Sequence, residues 1–131
     1  MIIVLDSNEY ILFLNNLLPD LNKILENSNF KVYLHELIIK EVMRNIGEDQ
    51  KKDFYKLLFK NNFIIHEEEL PFYLFENYKK FGLKKGDILI ASFCEWITAD
   101  YLITQNRHFL REVKVNNFKI LNLKEFLEIF G

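Results

Sequence analysis

A chain of 131 residues suffices for one ordinary domain, and residues 1–131 are read as a single folded unit. Half of them are hydrophobic and 15% aromatic, with only 4 Gly and 2 Pro, which excludes a disordered, collagen-like or Gly/Ser-linker chain. Seventeen basic residues against 19 acidic ones leave a net charge of -2, so there is no overall basic footprint for nucleic acid, although a local one stays open. The lone Cys94 excludes an internal disulfide and fits a reducing cytoplasm.

Ile2 to Leu5 is four apolar residues in a row, three of them β-branched, and predicts a buried strand stopped by Asp6-Ser7-Asn8. No basic leader precedes it and no apolar run approaches the roughly 20 residues of a membrane span. A cytoplasmic protein without a membrane segment is expected. Helices are predicted from Glu9 to Leu18, ending before Pro19, and from Asp20 to Glu26. Phe30 to Leu34 reads as a second strand. His35 to Ile46 then reads as a helix with Gly47 at its C-cap. Glu48 to Lys60 is another amphipathic helix and Phe63 to Ile65 a third strand. The acidic run Glu67-Glu68-Glu69 is a solvated loop.

Pro71 to Phe81 predicts a helix closed by Gly82, and Gly86-Asp87 opens the most apolar helix, Ile88 to Ile97. Tyr101 to Thr104 and Phe118 to Leu121 are the last strands, and Lys124 to Phe130 a terminal helix. Continuously apolar strands separated by helices imply an α/β fold: three α/β/α layers around a central parallel sheet.

That topology gives each acid a place, because ligands bind outside the carboxyl ends of parallel strands and crossover helices begin on the same edge. Asp6 follows the first strand, Asp87 opens a helix, and Thr104-Gln105-Asn106 follows the fourth strand; all fall on this edge. Glu41 sits roughly 9 Å down its helix, within reach of the edge for a long side chain. Asp100 precedes its strand and belongs to the opposite edge. Glu95 lies about 12 Å beyond Asp87 along the same helix. The converging set is Asp6, Glu41 and Asp87, with Asn106 as a neutral oxygen donor. Three carboxylates without a fixed cation among them repel one another, which a hard divalent cation relieves. Mg²⁺ there suits water attack on a phosphodiester and lets an acidic protein handle RNA or DNA. Lys79, Lys80, Lys84, Lys85, Arg107 and Arg111 are candidates for positioning its backbone.

These residues resemble the PIN domain, the nuclease fold of VapC-type toxins. Leu5-Asp6-Ser7-Asn8 is similar to the family's opening hydrophobic-Asp-x-Asn motif, and Glu41 within Leu37 to Val42 to its helical glutamate. Gly86-Asp87-Ile-Leu-Ile-Ala-Ser92 resembles the central Asp-x-x-Ile-x-Ala motif, and Ala99 to Phe109 the late strand-turn motif. The match runs from Met1 to about Phe109. The resemblance implies a metal-dependent endoribonuclease using Mg²⁺ or Mn²⁺, commonly the toxin of a toxin–antitoxin pair, with RNA as substrate, an antitoxin protein as partner and homodimers common. Asp6, Glu41 and Asp87 would hold the metal, Asn106 would orient a water or phosphate oxygen, and Ser7, Asn8 or Thr104 would hydrogen-bond around them. One departure stands out. Many members have an acid where this chain has Asn106, which puts a second metal in doubt; His108 stands where some carry a further acid.

Simpler roles stay open. Asp87 fits a helix N-cap, Asp6 an Asx-turn, Glu41 a solvated helix position and Asn106 the cap of a short helix. Cys94 reads as core, and His35, His66 and His108 as isolated. Phenylalanines read as core, apart from a minority around Tyr10 and Phe13 that would suit a dimer or antitoxin interface. The alternative function is a catalytically weak or inactive module of the same fold that binds RNA or a partner. A receiver-like phosphoacceptor fits poorly, because the first strand ends in a single acid. A nucleotide-binding enzyme fits worse, since there is no P-loop or G-x-G-x-x-G.

Overall fold

The computed structural model describes residues 1–60, 62–113, 115 and 117–131. Its five strands are β1 (Ile2–Leu5), β2 (Lys31–His35), β3 (Phe63–His66), β4 (Tyr101–Ile103) and β5 (Lys119–Leu121). All pair in parallel, in the order β3-β2-β1-β4-β5. The α/β fold expected from the sequence is therefore present. β1 is central, and Ile3, Val4 and Leu5 are wholly buried, as a strand covered on both faces requires. The chain winds outward from β1 through β2 to β3, then returns to β1's other side at β4. Strand order reverses between β1 and β4, so the ligand crevice of such a sheet lies at their carboxyl ends.

Among the described residues eight α-helices cover the sheet: α1 (Ser7–Leu14), α2 (Asn22–Leu25), α3 (Glu36–Arg44), α4 (Glu48–Leu58), α5 (Phe72–Lys79), α6 (Lys85–Trp96), α7 (Arg107–Glu112) and α8 (Leu123–Phe130). No helix among the described residues is long and apolar enough to cross a membrane.

Several boundaries differ from the sequence reading for local reasons. α1 stops at Leu14 instead of Leu18, because Asn16 takes a left-handed φ of 60°. Asn16 N–H then bonds the Phe13 carbonyl and Leu17 N–H the Leu12 carbonyl, a Schellman closure that satisfies the last turn. Most of the helix expected from Asp20 to Glu26 is split into a 3₁₀ turn (Pro19–Leu21) and α2. Gly47 does not close α3. It is the N-cap of α4 with extended backbone (φ -81°, ψ 167°), and Gln50 Oε1 accepts its N–H at 2.9 Å.

Aromatic packing anchors the periphery to the sheet. Phe30, Tyr101, Phe126 and Phe130 form a cluster with ring centroids 4.8–6.3 Å apart, holding α8 against β4 and the start of β2. Tyr10 is wholly buried edge-to-face on Phe54, so it does not offer the interface the sequence suggested; Phe13 is half-buried, packed against the core. The exposed large aromatics are Phe59, Phe72, Tyr73 and Tyr55, on α4, its C-cap and α5.

Candidate active site

Asp6 ends β1, and its backbone continues the sheet: Asp6 N–H bonds the Ile103 carbonyl at 3.0 Å. It also occupies the N-cap of α1, where an aspartate ordinarily turns its carboxylate onto the helix N–H groups. Here it makes no capping bond. Instead Oδ2 accepts the Thr104 hydroxyl at 2.7 Å and Oδ1 faces the Ser7 hydroxyl at 3.4 Å. Thr104 is itself held, because its Oγ1 accepts the Asn106 N–H at 3.0 Å. One hydroxyl thus donates to Asp6 and accepts from the turn after β4, locking the two sides of the crevice together. Asp6, Ser7 and Thr104 are all buried, whereas Asn8 is exposed.

Asp87 lies in the third position of α6, so it does not cap the helix; Lys84 stands at the N-cap. A carboxylate in the first turn still gains from the positive end of the helix. Asn106 Nδ2 donates to Asp87 Oδ2 at 3.1 Å, while Asn106 Oδ1 accepts the His108 N–H at 2.9 Å and caps α7. The amide oxygen expected to face a metal is therefore occupied by the cap. Asn106 turns its nitrogen to the site and acts as a clamp on Asp87.

Glu41 reaches this edge from α3. Its carboxylate oxygens lie 3.8 and 3.9 Å from where a β-carbon on Gly86 would stand, which puts them beside the first turn of α6, next to Asp87. His35 begins that helix. Its Nδ1 accepts the Leu37 N–H at 3.1 Å and its Nε2 lies 2.6 Å from the Glu68 carbonyl oxygen, so the ring caps α3 and is not an isolated histidine.

The electrostatics follow from this packing. Burial pushes the Asp6 carboxyl up to about 6; the Thr104 hydroxyl and Ser7 backbone oppose the rise, and the charges of Asp87 and Glu41 add to it. Asp87 is raised for the same first reason and by Glu41, against the Asn106 bond and the nearby Lys84 and His108. None of the ion pairs among the described residues engages Asp6, Glu41 or Asp87.

A fourth acid escaped the sequence reading. Glu9, one helical turn after Asp6, is wholly buried. Its Oε2 meets the Gln105 amide at 3.4 Å, and its Oε1 has no partner. Burial first, and then the charge of Asp6, push it up to about 7, against the Gln105 bonds. Spacing from Asp6 was the available signal, but an acid at the start of a helix reads as an ordinary first-turn charge.

The demoted residues sit where topology predicted. Asp100 Oδ2 accepts the Ile2 N–H at 2.7 Å at the opposite edge, and Glu95 Oε1 accepts Tyr78 Oη at 3.1 Å and Asn117 Nδ2 at 2.5 Å. Cys94 is buried and its thiol pushed well up by that burial, which suits core and not a nucleophile.

The implied metal can be tested against this donor set. Among the described residues, no three His, Cys, Asp or Glu side chains are grouped closely enough to cage an ion. A fully protein-ligated site does not fit. Mg²⁺, however, keeps several waters and uses one or two carboxylates, and the mutually repelling, unpaired Asp6 and Asp87 match that demand.

No family model matches the chain, and no curated protein matches it. Among solved structures, the fold is similar to a chain in the crystal structure of VapBC2 from Rickettsia felis, bound to a DNA fragment from their promoter. The likeness has a TM-score of 0.64 at 22% identity and covers 93% of this chain and 98% of that one.

Proposed function

We propose that this protein is a metal-dependent endoribonuclease of the PIN type, the toxin half of a toxin–antitoxin pair with a protein antitoxin as partner. The observation that carries the reading is the crevice between β1 and β4, where Asp6 and Asp87 are held by neutral donors, Thr104 and Asn106, and left without a cation. Structural carboxylates are ordinarily paired; a buried and a half-buried acid pushed up by burial and by each other mark a site built for a ligand that neutralises them. The fold shared with a chain of a VapBC2 complex supports the toxin assignment.

Asp6 and Asp87 would hold Mg²⁺ or Mn²⁺, with Glu41 reaching it through water. When bound, the ion polarises a phosphoryl oxygen and lowers the pKa of its water. The chain's own residues supply orientation. Thr104 fixes the carboxylate plane of Asp6, and Asn106 fixes that of Asp87. The α6 N-terminus adds positive potential where a phosphate would lie.

Incubation of purified protein with RNA and Mn²⁺ tests this directly. Cleavage is expected for the wild type and lost in Asp87→Asn, with circular dichroism unchanged; equal cleavage by that variant would sink the assignment.

A second reading is a PIN-like module that binds RNA or a partner without cutting. It draws on Asn106, whose oxygen is committed to capping α7 in place of an acid. Calorimetry separates the two: no Mn²⁺ binding in the millimolar range, together with no cleavage, favours the module.

A further inference from the structure

A groove of about 760 Å³ opens between α3, α5 and the start of α6, and one end of it is lined by Glu41 and Gly86 of the candidate site. Its walls combine two chemistries. Lys40, Arg44, Lys79 and Lys85 bring four positive charges, and the larger, apolar part of the wall is aliphatic from α3 and α6 and aromatic at Phe72 and Phe75. Two of the cations are already engaged: Lys40 lies 3.8 Å from Glu36, and Lys79 lies 2.8 Å from Glu76. Arg44 and Lys85 have no ion-pair partner among the described residues.

Phe72 is 71% exposed at the first position of α5, an unfavourable place for a large apolar ring unless something stacks on it. Lys79 Nζ sits 5.9 Å from the Phe72 ring centroid, so cation and ring act on the same stretch of surface.

We infer that this groove holds a single-stranded RNA beside the catalytic edge, with Arg44 and Lys85 on its phosphates and Phe72 stacked on a base. The inference rests on the nuclease reading for its substrate class and adds the strand's path. Charge complementarity argues for a polyanion: the whole chain carries -2, yet with Lys40 and Lys79 set against Glu36 and Glu76 the groove still offers Arg44 and Lys85, without ion-pair partners among the described residues, against Glu41. The exposed ring argues for a single strand, because bases in a duplex have their faces covered by their neighbours, while an unstacked base offers its face to an aromatic side chain. Lys85 directly precedes Gly86 and Asp87, so a phosphate bound there leads the backbone into the crevice.

Fluorescence anisotropy with a labelled single-stranded oligoribonucleotide tests the path apart from the chemistry, using the Asp87→Asn protein so that nothing is cut. The double substitution Arg44→Glu/Lys85→Glu is expected to weaken binding by roughly tenfold or more and to lower the salt slope by about one for each phosphate the protein no longer holds. Phe72→Ala is expected to weaken it roughly tenfold with the salt slope kept, and Phe72→Trp to give fluorescence that the strand quenches. All these positions are exposed, and a thermal melt checks that each variant folds.

Unchanged affinity in the double variant and in Phe72→Ala overturns the inference. So does a Phe72→Ala protein that passes from dimer to monomer in light scattering while binding the strand as before, since a second copy would then cover the groove. If the wild type cuts RNA but the groove variants bind normally, the path is wrong and the nuclease reading stands. If the variants lose binding but the wild type never cuts, the path stands and the nuclease reading falls.

Discussion

Asp6 and Asp100 stand at opposite ends of the same pair of strands, and the molecule treats them in opposite ways. Asp100, just before β4, is exposed, and its carboxylate accepts the Ile2 N–H at 2.7 Å while its N–H bonds the Ile2 carbonyl at 2.9 Å. It closes the sheet's amino edge and gives an end-of-strand donor a strong acceptor. Asp6, just after β1, is buried, pushed up to about 6 and held by neutral hydroxyls. One carboxylate stabilises the fold. The other, with Glu9 and Asp87 near it, burdens the fold. On the proposed reading, stability and function are separated to the two ends of one strand pair.

The sharpest test of this contrast is Asp6→Asn. RNA cleavage should fall to background while the folded state becomes more stable at neutral pH, a combination that a structural aspartate could not produce. A rise from the ordinary 3.8 to about 6 corresponds to about 3 kcal/mol at neutral pH. The sign follows from proton binding. The folded state holds the Asp6 proton more tightly than the unfolded chain, so its stability is full below about pH 4 and declines as pH rises through about 6. Glu9, pushed up to about 7, extends the decline in the same direction. Urea melts across this pH range should show the wild type losing stability and Asp6→Asn losing less. A lower midpoint for Asp6→Asn at pH 7.5 would put Asp6 in the same class as Asp100.

Thr104→Val probes the donor that keeps Asp6 oriented. The side chain is buried and valine matches its shape, so the change removes little besides the hydroxyl. Loss of an orienting bond of this kind costs about 10–100-fold in metal affinity or activity. Mn²⁺ titration by calorimetry and initial cleavage rates should both register it, and an unchanged Mn²⁺ affinity would remove Thr104 from the site.

At the other edge the effects should be smaller and purely structural. Asp100→Ala should cost about 1–2 kcal/mol in a chemical melt by leaving the Ile2 N–H without its carboxylate, with cleavage rate unchanged. Thr98, just before this edge, is a β-branched residue at φ 52° in the Schellman closure of α6, where its N–H bonds the Glu95 carbonyl and Ala99 N–H bonds that of Cys94. Thr98→Gly should raise stability by about 1 kcal/mol by relieving the left-handed strain, again without effect on cleavage. An activity change in either variant would blur the division between the two ends.

Much of this was legible in the residues. Ile2 to Leu5 could only be a strand buried on both faces, because four apolar residues in a row leave no solvent side. Once the strands are parallel, the edge rule separates Asp6 and Asp87 from Asp100 without coordinates. What the sequence misjudged depends on how distant segments meet. Asn106 read both as an oxygen donor and as the cap of a short helix; its oxygen does cap α7, and its nitrogen, which neither reading used, holds Asp87. Gly47 read as a terminator and proved an initiator, because the chain turns directly from α3 into α4. Tyr10 read as available surface until Phe54, 44 residues away, covered it.

Local pattern alone therefore determined the parallel α/β architecture and which acids share an edge, because apolar runs and strand order constrain the backbone regardless of detail. The tertiary structure alone decided which acids are buried, which donors hold them and which aromatics stay exposed. Those properties belong to the environment that other segments build around a residue: the same aspartate is an anchor beside a free backbone N–H and a strained acid beside Thr104 and Asp87.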